Sequence, residues 1–320
     1  MNIAIISYWH VHAEGYTKDI MEKTKSKVCA LWDEDKSRGE KYAESFGIKF
    51  YENYDELLQN EDIQGVVINS ATNKHTELIL KAIKAGKKVF SEKVLALTYT
   101  DCLEIKKALV VKNAELTLSL VKKCNSQFIF AKNLIESGKL GRITYARVRN
   151  VHDGSIGNWL PEHFYNMDQC GGGAMIDLGA HPMYLLNWLL GTPKSIQSVF
   201  TDVTGHGVED NAVSVIEFEN GVIGVAETGF VSRYTPTILE VSGTKGTLMI
   251  KDQVTYAAEE TGGEWITVDS LPEELPSPIV QWANNEFINQ DEFGIEASIM
   301  LTRLMEAAYK SYYTGAKVEV

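Results

Sequence analysis

The sequence has little that would direct the chain to nucleic acid, to a membrane or to an oxidising compartment. Acidic residues outnumber basic ones by 43 to 31, and the net charge of -12 disfavours binding to nucleic acid or to anionic lipid. The four cysteines, Cys29, Cys102, Cys124 and Cys170, show no paired spacing, which favours a reduced, cytoplasmic setting. Charged residues interrupt the apolar runs and no basic leader begins the chain, so neither a membrane span nor a signal peptide is predicted.

The first third of the chain alternates short apolar runs with amphipathic segments. Strands are predicted at residues 2–6, 27–31, 48–51, 65–69, 88–90 and 115–120. A helix between two of them, "TELILKAIKAG", has a helical apolar spacing and stops at Gly86. This alternation predicts an α/β fold, a doubly wound parallel sheet in a dinucleotide-binding Rossmann domain over residues 1–121.

The rest of the chain follows a different pattern. A helix, "FIFAKNLIESG", leads to the apolar run "ITYARVRNVH", a glycine-rich loop and the apolar helix "MIDLGAHPMYLLNWLLG". From residue 194 to 269, short strands with turn signals such as Asn220-Gly221 indicate antiparallel hairpins. We therefore predict an α+β domain with a largely antiparallel open sheet over residues 122–320, which binds substrate and mediates oligomerisation.

The turn after the first strand lacks the glycines of a dinucleotide-binding motif. When the G-x-G-x-x-G pattern is laid on "SYWHVH", its glycine positions hold Ser7, Trp9 and His12. Bulky side chains obstruct close approach of the backbone to a pyrophosphate, although the N-terminus of the next helix still attracts phosphate. We expect a dinucleotide bound through a reshaped turn, with contacts from Ser7, Tyr8, Trp9 and His10.

The second strand ends in "ALWDED", where an acid can accept hydrogen bonds from an adenosine ribose. Asp33 is the candidate, and it favours NAD over NADP. Arg38 keeps NADP as an alternative, because a guanidinium can receive a 2′-phosphate. Acidic residues are also common at the N-terminus of an ordinary helix, where they interact favourably with the helix dipole, so this alternative stays open.

Several segments together resemble the glucose-fructose oxidoreductase and inositol dehydrogenase family, Gfo/Idh/MocA. They are "ATNKHTELILKAIKAGKKVFSEK", "ESGKLGRITYARV", the block from Gly171 to His181 and "EASIMLTRLMEAAYKSYYTG". The resemblance covers nearly the whole chain. It implies an NAD(P)-dependent oxidoreductase that acts on a sugar, a polyol or a related hydroxyl compound and assembles as a dimer or tetramer.

The resemblance also implies a catalytic set of three residues. Lys93 matches the lysine of a Glu-Lys-Pro motif, with Val94 in place of the proline, and Asp177 and His181 match a D-x-G-x-H segment. Residues four apart on a helix share a face, so Asp177 and His181 are expected to address one substrate. His181 would act as general base, and Lys93 would stabilise the alkoxide. We expect the active site between the two domains.

Further candidates follow the ends of predicted strands and lie in one long loop. The cofactor candidates after the fourth and fifth strands are Ser70, Ala71, Asn73, His75, Glu92 and Lys93. For His75, capping or packing of its helix is the favoured role. In the loop, His152, Trp159 and His163 are candidates for sugar binding, with surface packing equally open. The histidines at 10, 12, 152 and 163 share no known ligand spacing, so no metal site is predicted.

Two other functions remain open on the same fold. The chain could be a catalytically idle NAD-binding or sugar-sensing protein, as the absent glycines and Val94 suggest. It could also keep NAD as a resident redox cofactor for sugar cleavage or epimerisation.

Overall fold

The computed structural model of the 320-residue chain describes residues 1–235, 237–287 and 289–320. The first part of the chain contains β1 (Asn2–Ile6), α1 (Ala13–Lys23), β2 (Lys27–Trp32), α2 (Lys36–Phe46), β3 (Lys49–Tyr51), α3 (Tyr54–Gln59), β4 (Gly65–Ile68), α4 (Thr72–Lys84), β5 (Lys88–Ser91), α5 (Tyr99–Lys112) and β6 (Leu116–Leu118). All six predicted strands are therefore confirmed, with small shifts at their ends.

The remainder contains a longer series of strands. Its elements are α6 (Ser126–Glu136), β7 (Ile143–Val151), α7 (Met167–Cys170), α8 (Ala180–Leu190), β8 (Pro193–Thr201), β9 (Asn211–Phe218), β10 (Ile223–Gly229), β11 (Ile238–Gly243), β12 (Gly246–Ile250), β13 (Val254–Ala258), β14 (Ile266–Thr267), α9 (Pro278–Asn284), α10 (Ile295–Thr314) and β15 (Val318–Glu319). Pro236, within the segment predicted to form hairpins, lies outside the described residues.

The first sheet is parallel throughout, with strand order β3-β2-β1-β4-β5-β6. Its central strands are nearly pure apolar runs, because helices cover both faces of such a sheet. This is the doubly wound Rossmann order that the alternating pattern predicts. The order reverses between β1 and β4, so the carboxyl ends of these strands mark the place where such sheets bind ligands.

The second sheet has nine strands in the order β14-β13-β12-β11-β7-β10-β9-β8-β15. The pair β7 and β10 is parallel, and the other described pairs are antiparallel. Buried and exposed residues alternate along β9, and α8 contacts β7 and β10, so one face of the sheet is covered. The predicted, largely antiparallel sheet is confirmed.

The chain forms two compact units rather than two consecutive segments. The first comprises Met1–Leu120 and Pro276–Thr302, and the second comprises Val121–Leu275 and Arg303–Val320. The return of residues 276–302 to the first unit is not anticipated by the sequence. Among the described residues, no helix combines the length and the apolar character needed to cross a bilayer.

Trp282 of α9 explains why this returning segment belongs to the first unit. Its side chain is 4% exposed, and its ring centroid lies 5.7 Å from that of Phe90 in β5. A Cβ placed on Gly65 of β4 would lie 2.9 Å from the indole, so glycine admits the ring. The indole thus joins the core of the parallel sheet.

We predict that Trp282→Ala destabilises the first unit by about 3–5 kcal/mol, because it leaves a cavity in a packed core. Urea unfolding followed by circular dichroism measures this loss. Trp265→Ala is the matched control, since Trp265 is 55% exposed and its truncation should change stability little. Equal losses for the two variants would contradict the core role of Trp282.

Candidate active site

The turn after β1 is tight although it lacks glycine. Ser7 adopts a left-handed backbone conformation with φ of 72°, which glycine usually supplies. Its backbone N–H donates to the carbonyl oxygen of Trp32 at 2.7 Å, and its hydroxyl accepts the N–H of Trp9 at 3.0 Å. The Tyr8 ring stacks on Tyr42 with centroids 4.0 Å apart. Hydrogen bonds and stacking therefore fix this turn.

Asp33, the predicted ribose ligand, is already bonded on both carboxylate oxygens. Oδ2 accepts the Tyr8 N–H at 2.8 Å and Arg38 Nε at 3.0 Å, while Oδ1 accepts the Asp35 N–H and Arg38 Nη2 at 2.8 and 2.7 Å. The Asp33 side chain is fully buried, whereas Arg38 is partly exposed. A ribose contact at Asp33 would therefore have to compete with Arg38.

Two features of the first unit suit the phosphates and the amide of a dinucleotide. Helix α1 has no side-chain cap, so the dipole at its N-terminus favours an anion, and a Cβ on Gly15 would meet open space. Asn69, directly after β4, is buried, and neither its Oδ1 nor its Nδ2 has a partner among the described residues. The residues present thus fit a dinucleotide at the carboxyl ends of β1 and β4.

The buried side chain of His75 connects two loops through its ring nitrogens. Its ring nitrogens lie 2.9 Å from the carbonyl oxygen of Val94 and 3.1 Å from that of Ser70. Burial lowers the pKa of this histidine. These contacts agree with a packing role. Of its neighbours in the predicted cofactor set, Ala71 is buried and Asn73 is exposed.

Glu92 connects the end of β5 to the β1–α1 turn. Its Oε1 lies 2.8 Å from His12 Nδ1 and accepts a hydrogen bond from the Tyr16 hydroxyl, while Oε2 accepts the Lys93 N–H at 3.0 Å. Burial by itself raises the pKa of Glu92, but the imidazoles of His10 and His12 outweigh burial and hold the pKa well below its usual range. A charged carboxylate thus fixes the backbone of Lys93.

In the second unit, Asp177 and His181 do not share a helix, so that part of the prediction is wrong. Helix α8 begins at Ala180, and Asp177 lies in the series of turns before it. The Gly179 N–H donates to the carbonyl oxygen of Ala174, five residues back, which departs from the helical spacing of four. Asp177 is half-buried at this turn.

His181 has a partner that sequence reasoning missed. Its Nδ1 lies 2.9 Å from the hydroxyl of Tyr184, which also accepts the Lys122 N–H at 3.0 Å. Tyr184 follows His181 by three residues in α8, a spacing that could have signalled the contact. The hydroxyl holds the imidazole in one orientation.

The glycine-rich segment before Asp177 is packed against a buried acid. Oε1 of Glu209 accepts the N–H groups of Gly173 and Met175 at 3.0 and 2.9 Å, and the hydroxyl of Tyr309 donates to the same oxygen. A Cβ on Gly172 would lie 1.9 Å from the Tyr309 oxygen, so a larger residue does not fit. Burial raises the pKa of Glu209. No sequence signal marks Glu209 or Tyr309.

The loop predicted to bind sugar is held partly by its own contacts. The His152 ring stacks on Phe230 with centroids 4.8 Å apart, and Trp159 Nε1 donates to Asp153 Oδ1 at 3.0 Å. Trp159 is exposed, and the ring of His163 lies against Phe164. The packing alternative therefore has direct contacts in its favour for His152, while Trp159 is 54% exposed although its ring centroid lies 4.7 Å from that of His152.

Two family models match the chain, one in each part. Residues 1–119 match the model described as "Oxidoreductase family, NAD-binding Rossmann fold", and residues 128–249 match the "GFO/IDH/MocA C-terminal domain".

Individual relatives and solved structures agree with these matches. The chain is 28% identical to 1,5-anhydro-D-fructose reductase of Ensifer adhaerens over 72% of this chain and 70% of that protein. It is also 28% identical to scyllo-inositol 2-dehydrogenase (NAD(+)) of Bacillus subtilis (strain 168), over 70% of this chain and 66% of that protein. Levoglucosan dehydrogenase in complex with NADH and levoglucosan has a similar fold, with a TM-score of 0.84 and 19% identity over 100% of this chain and 99% of that chain.

We predict that Glu209→Ala lowers the free energy of unfolding by about 1–3 kcal/mol for each backbone N–H left without an acceptor. Glu209→Gln keeps an acceptor oxygen and should cost less. Urea unfolding of both variants measures the difference. Tyr309→Phe leaves the Gly173 and Met175 N–H groups bonded to Glu209 but removes the acceptor of the Ile176 N–H, so it should cost less than Glu209→Ala. A loss as large as that of Glu209→Ala would refute the assignment.

Proposed function

Because the chain belongs to the Gfo/Idh/MocA oxidoreductase family, we propose that it transfers hydride between NAD and a hydroxyl carbon of a sugar, a polyol or a related compound. The observation that carries the proposal is the fixed position of Lys93, whose N–H is bonded to the buried carboxylate of Glu92. The names of the relatives support a sugar or polyol substrate.

The roles of the three reactive side chains follow from their chemistry. When bound, NAD supplies the acceptor for the hydride. His181 takes the hydroxyl proton as the hydride leaves carbon, in an orientation held by Tyr184. The Lys93 ammonium stabilises the negative charge that develops on the oxygen. Asp177 orients the imidazole or binds a neighbouring hydroxyl.

The other assigned residues have supporting roles in this proposal. Ser7, Tyr8, Trp9, His10, Ser70 and Asn73 contact the cofactor from the ends of β1 and β4. Trp159 and His163 line the binding site for the sugar. The chain self-associates, and it acts in the cytoplasm. The exposed apolar side chains of β8 and β9, Val199, Val213 and Val215, support self-association.

We predict that Lys93→Ala and His181→Ala each lower kcat by about 100- to 10,000-fold, because each removes a group that acts on the transferred proton or its charge. The assay follows reduced nicotinamide over a panel of sugars, polyols and their acids. His206→Ala is the control, since His206 is exposed in a loop of the second unit and should leave turnover unchanged.

The same assay and a calorimetric titration distinguish the two other functions. Turnover that leaves no free NADH would favour NAD as a resident redox cofactor for cleavage or epimerisation. Absence of NAD and NADP binding in calorimetric titration would favour the idle, sensing protein. Unchanged kcat in both Lys93→Ala and His181→Ala would overturn the assigned roles.

We predict that the wild-type chain binds NAD more tightly than NADP, because the Asp33 carboxylate repels a 2′-phosphate. In Asp33→Ala, Arg38 loses its buried carboxylate partner and keeps only the more exposed Glu34, so it can pair with that phosphate and the ratio of Kd values should move towards NADP by about 10-fold or more. Calorimetric titration measures both constants. The double variant Asp33→Ala with Arg38→Met should lose the gain, and a gain that persists there would contradict the role of Arg38.

A further inference from the structure

We propose that the first unit contains a binding site for a divalent transition-metal ion, with His10, His12 and Glu92 as its ligands. Their ligand atoms all lie within 4.8 Å of one another. The sequence predicts no metal, because the histidines match no known ligand spacing, and Glu92 lies 80 positions from His12. The site goes beyond the proposed hydride transfer, which requires no metal.

The distances suit an ion of the size of Zn²⁺. Ligand atoms about 2.0–2.2 Å from a tetrahedral ion stand ~3.4 Å from one another. Glu92 Oε1 lies 2.8 Å from His12 Nδ1 and 3.8 Å from His10 Nδ1, on either side of that value. The two imidazole nitrogens lie within 4.8 Å of each other, and His10 Nδ1 accepts the His12 N–H at 3.2 Å. Both imidazoles would therefore have to rotate to bring the three atoms to an ion.

The donor types also point to a transition metal. Two imidazole nitrogens and one carboxylate oxygen favour Zn²⁺, Co²⁺ or Fe²⁺ over Mg²⁺ and Ca²⁺, which prefer oxygen ligands. Three protein ligands leave a coordination position open for water or another small ligand.

The surroundings hold the ligands in place. The His10 N–H donates to the carbonyl oxygen of Asn69 at 3.0 Å, which fixes the loop to the end of β4. Tyr16 donates to the Glu92 carboxylate and shares a hydrogen bond of 2.6 Å with Ser119. Hydrogen bonds to a ligating carboxylate are the usual support of a metal site.

Burial and access are both suited to an ion. Glu92 is 1% exposed, and a buried carboxylate requires compensating positive charge. A cation at this place would supply that charge without protons on the two imidazoles. The side chain of His12 is 45% exposed, so the ion can enter from solvent.

The test is a titration of the metal-stripped, full-length protein with Zn²⁺ by calorimetry and with Co²⁺ by visible absorption, in the absence of nicotinamide and sugar. We expect one equivalent per chain, with Kd in the micromolar range or below. His12→Ala and Glu92→Gln should weaken binding at least 10-fold. His206→Ala removes a histidine outside the cluster and should bind as the wild type does.

The proposal is overturned if the wild type does not bind, if His12→Ala binds with unchanged Kd, or if His206→Ala loses the site. Should Glu92→Gln fail to fold, His12→Ala and His12→Asn decide the question, since His12 is half-exposed. Circular dichroism verifies the fold of each variant. Because no cofactor or substrate is present, the result is independent of the proposed oxidoreductase activity.

Discussion

The buried carboxylate of Glu92 is the group on which the arrangement of the first unit's candidate site depends. A charge removed from water must be met by hydrogen bonds and opposite charge, or it protonates. Here the bonds come from the imidazole of His12, the hydroxyl of Tyr16 and the backbone of Lys93. The hydrogen bonds that the Glu92 carboxylate requires therefore connect the β1–α1 turn to the segment after β5. They also fix the position of the Lys93 backbone.

This constraint also accounts for a first turn without glycines. Ser7 takes the left-handed conformation, and its hydroxyl accepts the Trp9 N–H, so the turn closes at the expense of some backbone strain. The bulky residues that follow have a role, since the imidazoles of His10 and His12 lower the pKa of Glu92. The N-terminus of α1 has no side-chain cap, and its dipole can still favour an anion there.

Hydrophobic periodicity predicted the strands, because a sheet covered on both faces requires short apolar runs between amphipathic helices. It could not predict that Trp282, more than two hundred residues from Gly65 in sequence, completes the core of the parallel sheet. The apolar run around Asp177 and His181 suggested one helix, but Gly179 accommodates a wider turn and delays the helix to Ala180. Lys93, Asp177 and His181 could be nominated through a family resemblance. The tyrosine bonds to the two buried acids could not, since Glu92 and Tyr16 are 76 residues apart and Glu209 and Tyr309 are 100 residues apart.

Glu92 and Glu209 show how the same residue type acquires opposite properties in two buried places. Both lie beneath the surface and both accept a tyrosine hydroxyl. Glu92 also faces two imidazoles, which lower its pKa, whereas Glu209 faces neutral amides and its pKa is raised by burial. Neutral donors can fix a loop without adding charge, and Glu209 accordingly holds the glycine segment that leads to Asp177. The imidazoles near Glu92 keep its carboxylate negatively charged instead, and the closeness of the three side chains makes the cluster suitable for a metal ion.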